Sequence, residues 1–85
     1  MPPIYVYTRP YCHFCQKLKK FLDEQGLQYE EINVAVSPEL QSEMESKTSG
    51  IGSVPQLFVG DQYIGDCLKV LSATGQEDLR AALAN

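Results

Sequence analysis

The sequence lacks the features of several large functional classes. No run in its 85 residues approaches the roughly 20 apolar residues needed to cross a bilayer, so no membrane role is predicted. Its first residues lack the basic and apolar regions of a secretory signal, which predicts a cytoplasmic location. With 7 basic residues against 11 acids, the chain also lacks the positive charge typical of a nucleic-acid-binding protein.

Cysteine is scarce, and its placement is informative. The chain has three cysteines, and two of them form a Cys-x-x-Cys motif at Cys12 and Cys15. A secreted disulfide scaffold usually carries an even number of cysteines spread along the chain. In a reducing compartment, such a pair is instead typical of catalysis or metal binding.

Positive charge is concentrated around this motif. Residues 1–20 contain four basic residues and no acid, whereas residues 21–85 contain all 11 acids. A solvated helix face would account for some of these lysines. A local positive field would also favour a thiolate and attract a small anion.

Apolar periodicity and turn residues predict the element order β-α-β-α-β-β-α. The predicted elements are a strand at 4–8, a helix from Cys12 to Gly26, a strand at 29–34, a helix at 37–47, strands at 56–59 and 62–64, and a helical region at 66–83. Within the first helix, Phe14 is assigned to the buried stripe with Leu18. In the last region, Asp66 caps a short helix that holds Leu68 and Leu71, and Thr74 begins a capping box that opens a final helix.

This order predicts a single α/β domain, 1–85. A strand–helix–strand start implies a parallel pair with a right-handed crossover, and the later hairpin adds antiparallel strands. We therefore expect a mixed four-stranded sheet with helices on both faces. Ligands bind beyond the carboxyl ends of parallel strands, where the sequence places Cys12.

The position of each thiol suggests its role. Cys12 lies at a helix start, where unpaired N–H groups and the macrodipole favour an anion, and Cys15 lies one turn further in. We therefore expect Cys12 to attack a disulfide and Cys15 to resolve the mixed disulfide. The competing interpretation, half of a zinc site, needs two more ligands, and only Cys67 and His13 are available. Because His13 shares a turn with both cysteines, no metal site is predicted.

Residues 7–15, 53–58 and 63–67 resemble three segments of the glutaredoxin family, in the same order and at similar spacing. Residues 7–15, YTRPYCHFC, resemble the segment that usually contains Cys-Pro-Tyr-Cys. Residues 53–58, SVPQLF, resemble the Thr-Val-Pro segment, and residues 63–67, YIGDC, resemble the start of the Gly-Gly-Cys-Asp-Asp segment. The resemblance implies a thioredoxin-like fold. It also implies a glutathione-dependent thiol–disulfide oxidoreductase acting on protein disulfides and protein–glutathione mixed disulfides.

The same resemblance implies a site for glutathione as co-substrate. The residues that it assigns to this site are Arg9, Phe14, Val54, Pro55, Gly65 and Asp66. Arg9 would meet a glutathione carboxylate, and the Val54 backbone would pair with the cysteinyl part as a strand does. Pro55 would be cis and face the cysteines. Asp66 belongs to the segment that holds the γ-glutamyl end.

Three departures from the family pattern leave alternatives open. His13 replaces the usual proline, Phe14 replaces a common tyrosine, and the segment 64–75 is shorter than in the family. Asp66 and Cys67 align either with the second glycine and the cysteine or with the paired aspartates. His13 is either a simple exposed residue or, when protonated, a group that stabilises the Cys12 thiolate. For Cys67, we expect a buried structural thiol.

Two other functions are compatible with these residues. One is a redoxin serving ribonucleotide reductase and recharged by thioredoxin reductase. The other is a [2Fe–2S] carrier, because some family members without the proline hold a cluster between two subunits through the first cysteine, here Cys12, and glutathione. The expected partners are glutathione and disulfide-bearing proteins, and we expect a monomer when no cluster is bound.

Overall fold

A four-stranded mixed sheet forms the centre of the computed structural model, which describes residues 2–84. The strand order is β2-β1-β3-β4. Strand β1 (Ile4–Thr8) pairs in parallel with β2 (Glu30–Asn33) and antiparallel with β3 (Gln56–Val59). Strand β3 also pairs antiparallel with β4 (Gln62–Gly65). The predicted mixed α/β sheet is therefore confirmed.

Within the described residues, four α-helices connect and cover these strands. Helix α1 (His13–Glu24) links the parallel pair, and α2 (Pro38–Lys47) follows a 3-10 turn at Val34–Val36. Helices α3 (Cys67–Leu71) and α4 (Ala73–Leu83) follow β4. As predicted, Ser37 caps α2 with a proline in its first turn. No helix within residues 2–84 is long and apolar enough to cross a membrane.

Each face of the sheet carries its own apolar core. On one face, Ile4 and Val6 of β1 pack against buried side chains of α1, α3 and α4. On the other face, Tyr7 and Phe58 pack against Met44 of α2. This alternation along β1 follows from the two-residue period of a strand and confirms helices on both faces.

The apolar stripe of α1 differs from the predicted one. Phe14 is 46% exposed, whereas Cys15, Leu18 and Leu22 are buried. At 3.6 residues per turn these three lie on one line, and Phe14 lies beside it. Leu68 is 68% exposed, because Cys67 and Val70 occupy the buried line of α3.

The start of α4 also differs from the prediction. The N-cap is Ser72, whose Oγ accepts a hydrogen bond from the Gly75 N–H at 3.0 Å. The same hydroxyl donates to the Lys69 carbonyl at 2.5 Å, at the end of α3. Thr74 therefore lies inside the helix, because Ser72 already caps its first turn.

Candidate active site

Cys12 occupies the N-cap of α1. Its Sγ accepts a hydrogen bond from the Cys15 N–H at 3.1 Å, and its carbonyl accepts from the Gln16 N–H at 3.1 Å. The side chain is partly exposed. A backbone donor and the positive end of the helix dipole thus face the sulfur, an arrangement that favours negative charge there.

Cys15 has a different environment from Cys12. It is 1% exposed and lies on the buried line of α1. Burial, followed by the hydrogen bond with Cys12, raises the pKa of the Cys15 thiol to about 12. At neutral pH this thiol is therefore protonated.

A cleft of about 200 Å³ lies beside Cys12, and four of the residues assigned to glutathione line it. The lining residues are Phe14, Ser53, Val54, Pro55, Asp66, Cys67 and Leu68. The Val54–Pro55 peptide bond is cis. The Cys12 Sγ lies 4.0 Å from the Val54 carbonyl oxygen, so the sulfur adjoins the backbone edge of this cleft.

Gly65 and Arg9 lie outside this first cleft. Gly65 is buried at the end of β4, one residue before the lining residue Asp66. Arg9 is exposed and donates a hydrogen bond to the Gln41 side chain. It lines a second cleft of about 220 Å³, which also contains Cys12 and Cys15. Cys12 therefore lies between the two clefts.

The second cleft contains a charged pair that the sequence did not identify. Lys19 Nζ lies 3.0 Å from Glu31 Oε2, and the Thr8 hydroxyl donates to the same oxygen at 2.7 Å. The bond from Thr8, together with that from Lys19, lowers the pKa of Glu31. The bond to Glu31 raises the pKa of Lys19, so both groups are charged at neutral pH. The sequence feature that could have indicated this pair is the position of Thr8 and Glu31. Both lie near the carboxyl ends of two strands that are predicted to be parallel.

A buried amide supports the Ser53–Val54 edge of the first cleft. Gln56 is 1% exposed, and its Nε2 donates to the Ser53 carbonyl at 3.0 Å. Its Oε1 accepts from the Tyr63 hydroxyl at 2.6 Å. Because both ends of the amide are bonded, the backbone next to Pro55 is held against the sheet.

Asp66 and Cys67 form the wall of the first cleft at the start of α3. Asp66 is the N-cap, and its Oδ1 accepts from the Lys69 N–H at 2.9 Å. Cys67 is 2% exposed, and burial raises the pKa of its thiol. These environments predict a capping role for Asp66 and low reactivity for Cys67.

Alkylation tests the environment of Cys67. We expect iodoacetamide to modify Cys67 at least about tenfold more slowly than Cys12 at pH 7, because attack requires an accessible thiolate. Mass spectrometry of the peptides after timed quenching measures both rates. Unfolding in urea is the control and should bring the two rates together. Comparable rates in the folded protein would mean that Cys67 is a second reactive site.

The fold and the cysteine pair define the class of the protein, a thiol–disulfide oxidoreductase with a thioredoxin-like fold. The chain is similar to the solved structure of a glutaredoxin from Brucella melitensis, with a TM-score of 0.80 and 32% sequence identity. The alignment covers 98% of this chain and 89% of the Brucella chain. It is also similar to a buckwheat glutaredoxin–glutathione complex, with a TM-score of 0.81 and 27% sequence identity. That alignment covers 98% of this chain and 77% of the buckwheat chain.

The sequence comparisons specify the family. The glutaredoxin family model matches residues 4–64. A glutaredoxin of Pseudomonas aeruginosa is 35% identical over 80 residues, which cover 92% of this chain and 94% of the relative. The chain belongs to the glutaredoxin family, which confirms the resemblance found in its sequence.

Proposed function

We propose that this glutaredoxin uses glutathione to reduce protein disulfides and protein–glutathione mixed disulfides. The observation that supports this most directly is the position of the Cys12 sulfur. It occupies a helix N-cap and lies 4.0 Å from the Val54 carbonyl at the edge of the first cleft. A glutathione in that cleft would bring its own sulfur to Cys12. The buckwheat relative is a complex with glutathione.

The charged groups around Cys12 suit the two ends of glutathione. That tripeptide has two carboxylates and one ammonium group, so its site needs a cation and an anion. Arg9 provides a guanidinium in the second cleft, and Asp66 provides a carboxylate in the first. Arg9 has five donors, so its bond to Gln41 leaves others free for a carboxylate. Val54 supplies backbone groups between them.

The proposed cycle is a sequence of thiol–disulfide exchanges. The Cys12 thiolate attacks a substrate sulfur, forming a mixed disulfide and releasing the other sulfur as a thiolate that takes a proton from solvent. With a protein–glutathione substrate, glutathione stays on Cys12. A second glutathione then attacks it, which restores the Cys12 thiolate and forms glutathione disulfide. With a protein disulfide, Cys15 attacks the sulfur of Cys12 and releases the protein thiol.

A coupled assay tests the electron source. Reduced protein is supplied either with glutathione, glutathione reductase and NADPH, or with thioredoxin reductase and NADPH, and oxidation of NADPH is followed with a glutathionylated peptide. We expect turnover in the first system and little in the second. Turnover with thioredoxin reductase alone would favour the ribonucleotide-reductase redoxin instead. The [2Fe–2S] carrier stays a separate prediction, which the absorbance spectrum of anaerobically reconstituted protein tests.

Substitutions at Arg9 and Asp66 test the glutathione site. We expect Arg9→Ala and Asp66→Asn each to raise the KM for a glutathionylated peptide several-fold, consistent with about 1 kcal/mol for a partly exposed charged contact. Asparagine is a good N-cap residue, so the second variant removes the charge and keeps the cap of α3. Steady-state kinetics with glutathionylated and plain disulfide substrates measure the effect.

The control for these variants is Asp61→Asn, which removes an equal charge from the exposed turn between β3 and β4. Its KM should equal that of the unmodified protein. If Arg9→Ala and Asp66→Asn also leave the KM unchanged, glutathione does not bind across these two clefts.

A further inference from the structure

The Lys19–Glu31 pair lies in the same cleft as the buried thiol. Cys15, Lys19 and Glu31 all line the second cleft. Lys19 follows Cys15 by four residues on α1, so one helical turn separates the two side chains on one face. Glu31 lies on β2, where the parallel pairing with β1 brings it beside Thr8. The pair is only partly exposed, with 28% of the Lys19 side chain and 40% of the Glu31 side chain accessible.

The proposed function requires the Cys15 thiol to lose its proton, and the burial of Cys15 opposes that loss. To resolve a mixed disulfide on Cys12, the Cys15 thiol must first lose its proton. Burial raises its pKa to about 12, and Lys19 acts in the opposite direction. The Arg9 backbone N–H also favours the Cys15 thiolate. Charged or titratable side chains that line the same cleft are Arg9, Tyr11, Cys12, Lys19 and Glu31.

We propose that Lys19 and Glu31 act as positioning residues for the resolving step, with Lys19 stabilising the Cys15 thiolate and Glu31 opposing it. Glu31 also holds Lys19 in place through the 3.0 Å ion pair, and Thr8 holds Glu31. Lys19 and Glu31 thus act on Cys15 with opposite signs from within one polar cleft. The inference rests on the proposed function, because it requires Cys15 to be the resolving thiol.

The step itself is an internal exchange. The Cys15 proton leaves through the cleft to solvent, and the thiolate attacks the Cys12 sulfur of the mixed disulfide. A Cys12–Cys15 bond forms as the bond between Cys12 and the substrate sulfur breaks. The substrate leaves as a thiolate and takes a proton from solvent. The two cysteines are oxidised to a disulfide, and the substrate sulfur is reduced to a thiol.

Because Lys19 and Glu31 carry opposite charges, the proposal predicts that their substitutions change the rate of the resolving step in opposite directions. Lys19→Gln removes the positive charge and should slow the resolving step about three- to tenfold at pH 7, since the pair is partly solvated and its effect is reduced by screening. Glu31→Gln removes the negative charge but keeps an amide oxygen that accepts from Thr8 and Lys19. It should accelerate the same step about two- to fivefold.

The experiment uses the neutral 2-hydroxyethyl disulfide, so that charge on the substrate does not contribute. Reduced protein is mixed with this disulfide, quenched in acid at set times and analysed by mass spectrometry. The mixed disulfide and the internal disulfide differ in mass, so their interconversion gives the rate of the resolving step. The pH profile of that rate should move to higher pH in Lys19→Gln and to lower pH in Glu31→Gln.

Two further variants complete the test. Lys20→Gln removes a charge from an exposed position on α1 and should leave the rate unchanged, and Lys19→Arg keeps the charge and should retain the original rate. Equal slowing in Lys19→Gln and Glu31→Gln would indicate a structural contact and overturn the proposal, as would unchanged rates in both. If the unmodified protein never forms the internal disulfide, the resolving role of Cys15 is itself wrong.

Discussion

Cys12→Ser abolishes thiol–disulfide exchange with every disulfide substrate, a loss that we expect to exceed about a thousandfold. Of the three cysteines, Cys15 is 1% and Cys67 is 2% exposed, and burial raises the pKa of both thiols. Neither has the helix N-cap position that Cys12 occupies. A serine hydroxyl at that position can accept the same N–H, but it is far too weakly acidic to supply the nucleophile at neutral pH. Initial rates with a glutathionylated peptide measure the loss.

Cys15→Ser and Cys67→Ser are the matched controls for this prediction. Cys15→Ser should keep exchange with glutathione mixed disulfides, because glutathione itself resolves them, and should lose much of the route through the internal disulfide. Cys67→Ser should keep both routes. Equal losses in Cys12→Ser and Cys15→Ser would contradict the division of roles between the two thiols.

Gly75→Ala lowers the stability of the fold, because the added methyl group has no room between α3 and α4. A Cβ atom at Gly75 would lie 1.7 Å from the Lys69 carbonyl oxygen and 2.9 Å from the Val70 Cα. Both are backbone atoms of α3, so a side-chain rotation cannot relieve the overlap. We expect a loss of about 3 kcal/mol in the free energy of unfolding, or roughly 12–24 °C in Tm. Urea and thermal unfolding followed by circular dichroism measure it.

Thr74→Ala is the control for the glycine substitution. Thr74 is exposed in the same turn of α4, so its replacement should change the free energy of unfolding by less than about 0.5 kcal/mol. A Gly75→Ala protein as stable as the Thr74→Ala protein would show that α3 and α4 can separate at little cost. The close approach of the two helices would then not contribute to stability.

The parts of the fold that the sequence predicts correctly are those fixed by local pattern. β1 is predicted at its observed bounds, because the run from Ile4 to Thr8 is β-branched and aromatic. The cap at Cys12 follows from a strand, a proline-containing break and a helical periodicity. The cap at Asp66 follows from the preference of aspartate for the N-cap position, after a predicted strand.

The errors arise where tertiary packing decides between similar residues. Phe14 is apolar and lies next to buried positions of α1, and it is exposed because it lines the first cleft. Thr74 has the spacing of a capping box, but Ser72 is the residue that ends α3 and begins α4. The Lys19–Glu31 pair depends on the register between β1 and β2, which no local pattern specifies.

The Ser72 hydroxyl joins two helices through one atom, since it accepts from Gly75 and donates to the Lys69 carbonyl. Helix α3 has five residues and is too short to be stable alone. Its stability therefore depends on packing against the rest of the fold, including α4, to which Ser72 and the close contact at Gly75 attach it. Because Cys67 and Leu68 of α3 line the first cleft, we expect that wall to be coupled to α4 in local unfolding. A fluctuation that frays the end of the chain as far as Ser72 would also open the wall beside Cys12.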